Sequence, residues 1–173
     1  MPYVDLHGCN LQSRHFEGLD LHGANFSGAS LSWASFDGAD VSGAHFDHAR
    51  MESTILEEAT AIGADFNWAM MNSAETSYGD FSGADFSHAD LGGAFGPGTV
   101  ARNATFDDAE LYDAFMPGSD LSGSTFRRAD LFITKLRSSN LRNTIWTGAH
   151  LSMTDLGGAD LTGADFTGAI IEP

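Results

Sequence analysis

The chain has 173 residues, of which 24 are acidic and eight are basic, giving a formal net charge of −16 and a pI near 4.4. Such an acidic surface excludes nonspecific binding to nucleic-acid phosphates and suits a basic protein partner. No apolar run is long enough to span a membrane, one cysteine (Cys9) excludes internal disulfides, and no secretory signal is visible, so we expect a cytoplasmic protein.

Large apolar residues occupy 30 of the 34 positions at steps of five from Leu6 to Ile171, without insertion or deletion; the exceptions are Ala61, Thr76, Gly96 and Ala101. Alanine concentrates two places before these residues, aspartate one place before them, and glycine two places after them. On an extended backbone the large residue and the alanine point to the same side, so both can be buried. Glycine and aspartate favour a bend. One such unit cannot bury its apolar residue, but stacked units can, which predicts a solenoid.

Every fourth large residue from position 26 onward is aromatic, which indicates that four units close one coil. At the spacing of neighbouring strands, ~4.8 Å, about eight and a half coils give a rod roughly 40 Å long. The predicted fold class is therefore all-β, a quadrilateral parallel β-helix of about eight coils of 20 residues, in a single domain over 1–173. The predicted structural core is a column of stacked rings: Phe26, Phe46, Phe66, Phe86, Phe106, Phe126, Trp146 and Phe166.

The segments 24–49, 84–94 and 159–169 resemble the pentapeptide-repeat family, whose consensus is A(D/N)LXX. The resemblance extends from Val4 to Ile171 and implies a right-handed, four-sided β-helix, whereas the periodicity itself does not determine the hand. Most members of that family have no assigned activity. The best-understood members resemble B-DNA in shape and charge, and they protect or inhibit DNA gyrase and topoisomerase IV.

The repeat is weakest at residues 95–102, FGPGTVAR, where Gly96 and Ala101 take the place of large residues. One interpretation is an irregular coil or small bulge. The other is a hinge or binding loop between two half-rods. The unbroken register favours the first.

Charge is distributed unevenly, with 19 acidic and three basic side chains in residues 1–126 and five of each in residues 127–173. The first part has one negative charge per ~1.8 Å at the strand spacing, close to the ~1.7 Å of duplex DNA. This density favours DNA mimicry, although aspartate before each large residue also suits a turn. One column forms the predicted acidic surface: Asp20, Asp40, Asp80, Asp120 and Asp160.

Several apolar side chains fall at outward positions, among them Trp33, Trp68 and the pair Phe95 and Phe115. They predict a contact surface, with packing against neighbouring arginine stems as the alternative. The charge-balanced final coils have no capping helix, so we expect a homodimer joined through the C-terminal coils rather than a monomer with a frayed last coil. The predicted interface is Tyr112, Phe132, Ile133, Met153 and Ile170.

No metal, cofactor or catalytic residue is expected. His48 and His88 share a column but lie two coils apart, roughly 10 Å, which is too far for one zinc ion. Cys9 falls at a small inward position and is expected to be buried. Carboxylates spread along the outside of a filled rod provide no cleft for acid–base chemistry.

The sequence thus predicts a non-catalytic protein-interaction rod. The most specific hypothesis is a DNA-mimicking regulator or protector of a type II topoisomerase, DNA gyrase, which would bind through a basic surface. The alternative is a structural or interaction scaffold with an unrelated protein partner. Neither hypothesis involves binding to nucleic acid or to a membrane.

Overall fold

The structure is a computed structural model that describes residues 2–171. Thirty parallel bridges each join a residue to the one 20 positions later, from Asp5↔Asn25 to His150↔Ile170. Each extended piece is one bridged residue at every fifth position, and residues 2–171 contain no helix and no longer strand. Four such pieces and four bends make one coil, which confirms the predicted four-sided solenoid.

Each bend follows the large apolar residue of its unit. In the first unit the Cys9 N–H donates to the Leu6 carbonyl at 3.1 Å, and Gly8 has a φ of +64°. A 4→1 hydrogen bond with a positive φ at the second central residue is typical of a type II turn. All 34 positions equivalent to Gly8 have positive φ, and 18 of them are not glycine. Outward corner residues such as Trp33 and Trp68 therefore occupy a strained backbone conformation that the stacked coils impose.

Neighbouring coils are joined by the same backbone hydrogen bonds in each unit. The Leu6 N–H donates to the Asn25 carbonyl at 2.8 Å, and the Asn25 N–H donates to the Val4 carbonyl at 2.8 Å. The corner contributes a third bond, from Gly8 N–H to the Ser27 carbonyl at 3.0 Å. Since this ladder repeats in every coil, an inserted residue would break it, which explains the unbroken period.

The aromatic column forms the centre of the core, as predicted. The rings of Phe46 and Phe66 stack with centroids 4.9 Å apart and planes 3° apart, and the column continues through Trp146. Seven of its eight members are buried. Phe166, the last member, is only partly buried because the final described coil has no further coil stacked on it.

Hydroxyl groups replace methyl groups at several inward positions of the core. Thr134 Oγ1 donates to the Leu111 carbonyl in the preceding coil at 2.6 Å, so its polarity is satisfied inside the rod. Thr144 Oγ1 donates to the Leu141 carbonyl and also accepts the indole N–H of Trp146 at 2.7 Å. The only tryptophan of the aromatic column thus has its acceptor two residues before it.

Residues 95–102 keep the backbone pattern of the other coils, including the bridge Phe95↔Phe115. The difference lies in the side chains, because the small residue Ala101 leaves space that a large residue fills elsewhere. A cavity of about 10 Å³ results, with Phe86, Leu91 and Ala101 among its lining residues.

The prediction that Cys9 is buried is wrong, because its side chain is exposed. Ala29, at the same place in the next coil, has no exposed surface. Inward positions are covered only where a coil lies on both sides, and Cys9 is in the first coil, where Val4 and Leu6 are also only partly buried.

Candidate interaction surfaces

The predicted acidic column lies along one side of the rod, because its members occupy bridged positions 20 residues apart. Asp40 Oδ1 accepts the backbone N–H of Ser42 at 3.0 Å, and Asp80 Oδ1 accepts that of Ser82 at 3.0 Å. Asp120 and Asp160 likewise accept the backbone N–H of the residue two positions later in the chain. Aspartate at this position therefore stabilises its own bend, whatever else the carboxylate does.

Arginines neutralise the C-terminal part of this column. The Arg102 guanidinium lies 2.7 Å from an Asp120 carboxylate oxygen, and that of Arg142 lies 3.0 Å from Asp160. Hydrogen bonds from the Thr162 side chain and backbone lower the pKa of Asp160 to about 2, and Arg142 adds to this effect. The carboxylate is therefore ionised but compensated.

The N-terminal part of the column keeps more of its charge. Neither Asp40 nor Asp80 has an ion-pair partner within 4 Å among the described residues. Asp20 accepts a hydrogen bond from the His22 ring at 2.6 Å, and this bond lowers the pKa of the Asp20 carboxyl. The negative potential is therefore concentrated toward the start of the rod.

A second row of carboxylates follows the adjacent corner. Glu17, Asp37 and Glu57 are 20 residues apart and so lie on successive coils, with Glu58 beside them. Sequence reasoning missed this row because it counted only acids at the bridged position, although the same step of 20 from Glu17 finds it. Together the two rows form a surface that we call the acidic face: Glu17, Asp20, Asp37, Asp40, Glu57, Glu58 and Asp80.

Glu17 is the acidic-face residue with the largest pKa shift. The His15 ring lies 2.8 Å from a Glu17 carboxylate oxygen, and this hydrogen bond lowers the pKa of Glu17 from 4.5 to about 2. A backbone hydrogen bond and one from Ser35 add to the effect. The carboxylate is consequently ionised throughout the physiological pH range.

Ion pairs also reduce the length of the rod over which negative charge is uncompensated. Arg127 pairs with Asp107 at 3.2 Å, and Arg128 pairs with Asp108. The uncompensated charge therefore lies mainly in residues 1–106, which carry 14 acidic and three basic side chains. That part has one net negative charge per ~2.3 Å at the strand spacing, somewhat below the density of duplex DNA.

The five predicted interface residues lie around one corner of the C-terminal half. Tyr112 and Phe132 share a column, Ile133 and Met153 share the next one, and Ile170 follows His150 on the adjacent side. Four of them are exposed, and Ile133 is half-buried. The Phe132 ring stacks on His150, with centroids 5.9 Å apart. The structure thus brings these residues together around one corner.

Phe95 and Phe115 form a stacked pair on the neighbouring side, with centroids 5.3 Å apart and planes 5° apart. Both rings are exposed. Pro97 and Pro117 flank them at the next corner, where both are half-buried. The sequence indicates that Phe95 and Phe115 point outward, but the predicted interface does not include them.

Aromatic rings fill the histidine column. Trp68 lies between His48 and His88, with ring centroids 6.3 Å and 4.3 Å away. A different group, which sequence reasoning did not single out, brings potential ligand atoms of His45, Asp47 and Asp65 within 4.8 Å of one another. Its carboxylates already accept hydrogen bonds, for example from Ser27 Oγ to Asp47.

Comparison with known families tests the resemblance seen in the sequence. The family model described as pentapeptide repeats matches eight copies, over residues 5–43, 41–74, 80–116 and 134–172. These segments cover most of the chain. The chain belongs to the pentapeptide-repeat family. It forms the right-handed, quadrilateral β-helix of that family, which confirms the predicted fold class.

Two solved pentapeptide-repeat structures resemble this chain. Full-length QnrB1, a plasmid-mediated fluoroquinolone resistance protein, is 19% identical, and the match covers 95% of this chain and 92% of QnrB1 with a TM-score of 0.50. HetL, involved in heterocyst differentiation regulation in the cyanobacterium Nostoc sp. strain PCC 7120, is 22% identical, with coverage of 98% and 90% and a TM-score of 0.48. No curated protein matches the sequence significantly. At 19% identity the likeness to QnrB1 supports the fold alone.

Pentapeptide-repeat proteins of this kind are generally non-catalytic interaction proteins. Their chemistry resides in the outward side chains, because the interior is filled. Within residues 2–171, no helix has the length and apolarity needed to cross a membrane. The surfaces that remain for function are the acidic face and the apolar sides.

Proposed function

We propose that this pentapeptide-repeat protein is a non-catalytic rod that binds a basic protein surface through its acidic face. The single observation that carries the proposal is the double row of carboxylates on successive coils. Asp37, Asp40, Glu57, Glu58 and Asp80 have no arginine or lysine within 4 Å among the described residues.

The rows are fixed in space by the backbone ladder. Since each coil is hydrogen-bonded to the next, the carboxylates keep the coil spacing of ~4.8 Å without help from a partner. A rigid array of like charges attracts a partner with a matching array of opposite charges, and it does so at long range. Because the fold already holds the carboxylates in place, binding does not cost the entropy of ordering them.

The specific partner we propose is a type II topoisomerase, DNA gyrase, whose DNA-binding surface is basic because it must hold a polyanion. The rod would then act as a DNA mimic that regulates or protects the enzyme. The support is the family resemblance to DNA-mimicking members together with the linear arrangement of negative charge. In the same proposal the protein acts in the cytoplasm, where it meets that enzyme.

The test is a supercoiling assay with purified gyrase, combined with direct binding at increasing salt. We expect the protein to inhibit supercoiling at micromolar concentrations and binding to weaken steeply as salt screens the charges. Asp40→Asn with Asp80→Asn should weaken binding, because asparagine keeps the hydrogen bond to the bend but removes the charge.

A matched control lies in the same column. Asp120→Asn with Asp160→Asn removes two charges of the same kind, but these two are already compensated by arginines. Equal weakening by both double variants would mean that only total charge matters and would contradict the role of the acidic face. Absence of both gyrase binding and inhibition would exclude the topoisomerase proposal.

The exposed aromatic side chains favour a second candidate, an interaction scaffold for an unrelated protein partner. Trp33 and Trp68 are 62% and 51% exposed at corner positions, outside the filled core. This candidate predicts salt-insensitive binding that is lost on Trp68→Ser, with no effect on gyrase.

A further inference from the structure

The stacked phenylalanines Phe95 and Phe115 lie near the middle of one side of the rod. Their rings remain 46% and 42% exposed although each covers one face of the other. Two parallel rings held in this way form a flat apolar surface that requires no reordering before it is covered. Such a surface marks a contact site.

Opposite charges lie at equal distances on either side of this pair. In one column of bridged residues, Glu75 precedes Phe95 and Lys135 follows Phe115, one coil away in each case. Neither Glu75 nor Lys135 lies within 4 Å of an opposite charge among the described residues. Along this column an acidic side chain, two aromatic rings and a basic side chain therefore follow one another at the regular coil spacing of ~4.8 Å.

Lys135 differs from most arginines of the chain because it has no ion pair within 4 Å among the described residues. Six of the seven arginines form an ion pair with a carboxylate of the same chain, on the surface of the rod. Asp155 is the next residue of the Lys135 column, but its carboxylate lies 3.3 Å from the Arg137 guanidinium. The only lysine of a protein with net charge −16 thus lies beside an apolar surface with no carboxylate within 4 Å among the described residues, although its charge helps to lower the pKa of Asp155.

We propose that this side binds a second copy of the same chain in antiparallel orientation. A two-fold axis that passes between Phe95 and Phe115, perpendicular to the rod, places Phe95 against the partner's Phe115. The same axis places Glu75 opposite the partner's Lys135, and Lys135 opposite the partner's Glu75. A two-fold interface must be self-complementary, and this column has that property.

The neighbouring columns agree with the antiparallel orientation. The axis brings Pro97 opposite the partner's Pro117, and it brings Gly92 opposite the partner's Tyr112. In its own chain the Tyr112 ring lies over Gly92, where an added Cβ would come within 2.8 Å of it. A parallel pair would instead place like charges together, Glu75 on the partner's Glu75 and Lys135 on the partner's Lys135.

One side of the rod is large enough for such a dimer. The accessible surface is 7376 Å², so each of the four sides has roughly 1,800 Å², and half of one side is close to the ~800 Å² per partner of a standard interface. That half corresponds to the four or five central coils that carry the column.

The test is sedimentation velocity at tens of micromolar, with circular dichroism to verify folding. The wild type should be a dimer. Glu75→Lys and Lys135→Glu should each weaken dimerisation at least ~10-fold, because the two-fold axis doubles every like-charge contact. An equimolar mixture of the two variants should form a heterodimer, since both of its charge pairs are attractive, and the double variant Glu75→Lys, Lys135→Glu should again dimerise.

Phe115→Ser provides the apolar arm of the test and should also give monomers. Ile170→Glu is the matched control at the C-terminal coils and should leave the dimer intact. A wild-type monomer would overturn the proposal, and so would single charge variants that dimerise as the wild type does. Dissociation by Ile170→Glu but not by Lys135→Glu would instead indicate end-to-end joining through the C-terminal coils.

Discussion

The aromatic column allows the energetic value of stacking to be measured at two positions of one repeat. Phe106 is 2% exposed, and its ring lies 4.9 Å from both Phe86 and Phe126. Phe166 is partly exposed and stacks only on Trp146, at 5.6 Å. The two phenylalanines therefore share a backbone setting but differ in the number of neighbours.

Truncation should reflect that difference. Phe→Ala in a core costs ~3–5 kcal/mol, and Phe106→Ala should lie near the upper end because the ring loses two stacked partners beside an existing cavity. Phe166→Ala should cost only ~1–2 kcal/mol, because its ring is already partly exposed to water and only one stack is lost. At 2–4 °C per kcal/mol for a chain of this length, costs of ~4–5 and ~1–2 kcal/mol correspond to decreases in Tm of roughly 8–20 °C and 2–8 °C.

Urea unfolding followed by circular dichroism measures both variants. Because each coil contacts only its neighbours, loss of Phe106 should also separate the unfolding of the two halves and broaden the transition. Trp68→Ala, which removes an exposed ring, is the surface control and should cost below ~1 kcal/mol. Equal losses for Phe106→Ala and Phe166→Ala would refute the argument that stacked neighbours determine the cost.

Two further predictions concern the register and the pH dependence. Phe66→Asp should unfold the rod at room temperature because it buries an unpaired charge, whereas Ser82→Asp, at an outward position, should change Tm little; equal shifts in thermal melts would contradict the register. The pKa of Glu17 is lowered from 4.5 to about 2 in the folded state, so its contribution is fully present above 4.5 and is lost as the pH falls toward 2. Relative to Glu17→Gln, the wild type should therefore gain stability as the pH rises through that window, and parallel curves of Tm against pH for the two proteins would exclude this linkage.

The interior of the rod was predictable because one steric requirement is repeated along the whole chain. Most of the large residues have a small residue two places before them, and the ladder of coil hydrogen bonds permits no other register. The ends were less predictable, since periodicity assigns Cys9 and Phe166 to inward positions without indicating that a neighbouring coil is missing.

Charge compensation within the predicted acidic column was missed because the sequence was compared only at steps of 20. Arg102 and Asp120 are 18 residues apart, as are Arg142 and Asp160, so each arginine reaches from a corner to the bridged residue of the next coil. A step of 18 would have revealed these pairs and would have removed Asp120 and Asp160 from the predicted acidic surface. Which arginine side chains reach across is decided by local packing, and spacing alone does not determine it.

Trp146 shows how a change within the repeat is matched by a second change nearby. It is the only tryptophan in the aromatic column, and its indole N–H donates to Thr144 Oγ1 at 2.7 Å in a fully buried setting. Most other aromatic residues of this column have alanine two places earlier, which offers no acceptor. Thr144 therefore supplies the acceptor that the indole N–H requires, in addition to its hydrogen bond to the Leu141 carbonyl.

Thr144→Val should destabilise the rod by ~2–3 kcal/mol, because the shape is kept while a buried donor loses its acceptor. Thr134→Val is the matched control: the Leu111 carbonyl that Thr134 binds also accepts the Ala114 N–H, so the loss should be only ~1 kcal/mol. In the Trp146→Phe background, Thr144→Val should cost less than in the wild type, because only the Leu141 carbonyl and not an indole N–H then loses a hydrogen bond. Urea unfolding of the four proteins in this cycle gives the coupling energy directly, and a coupling near zero would show that the Thr144 hydroxyl serves the Leu141 carbonyl and not the indole.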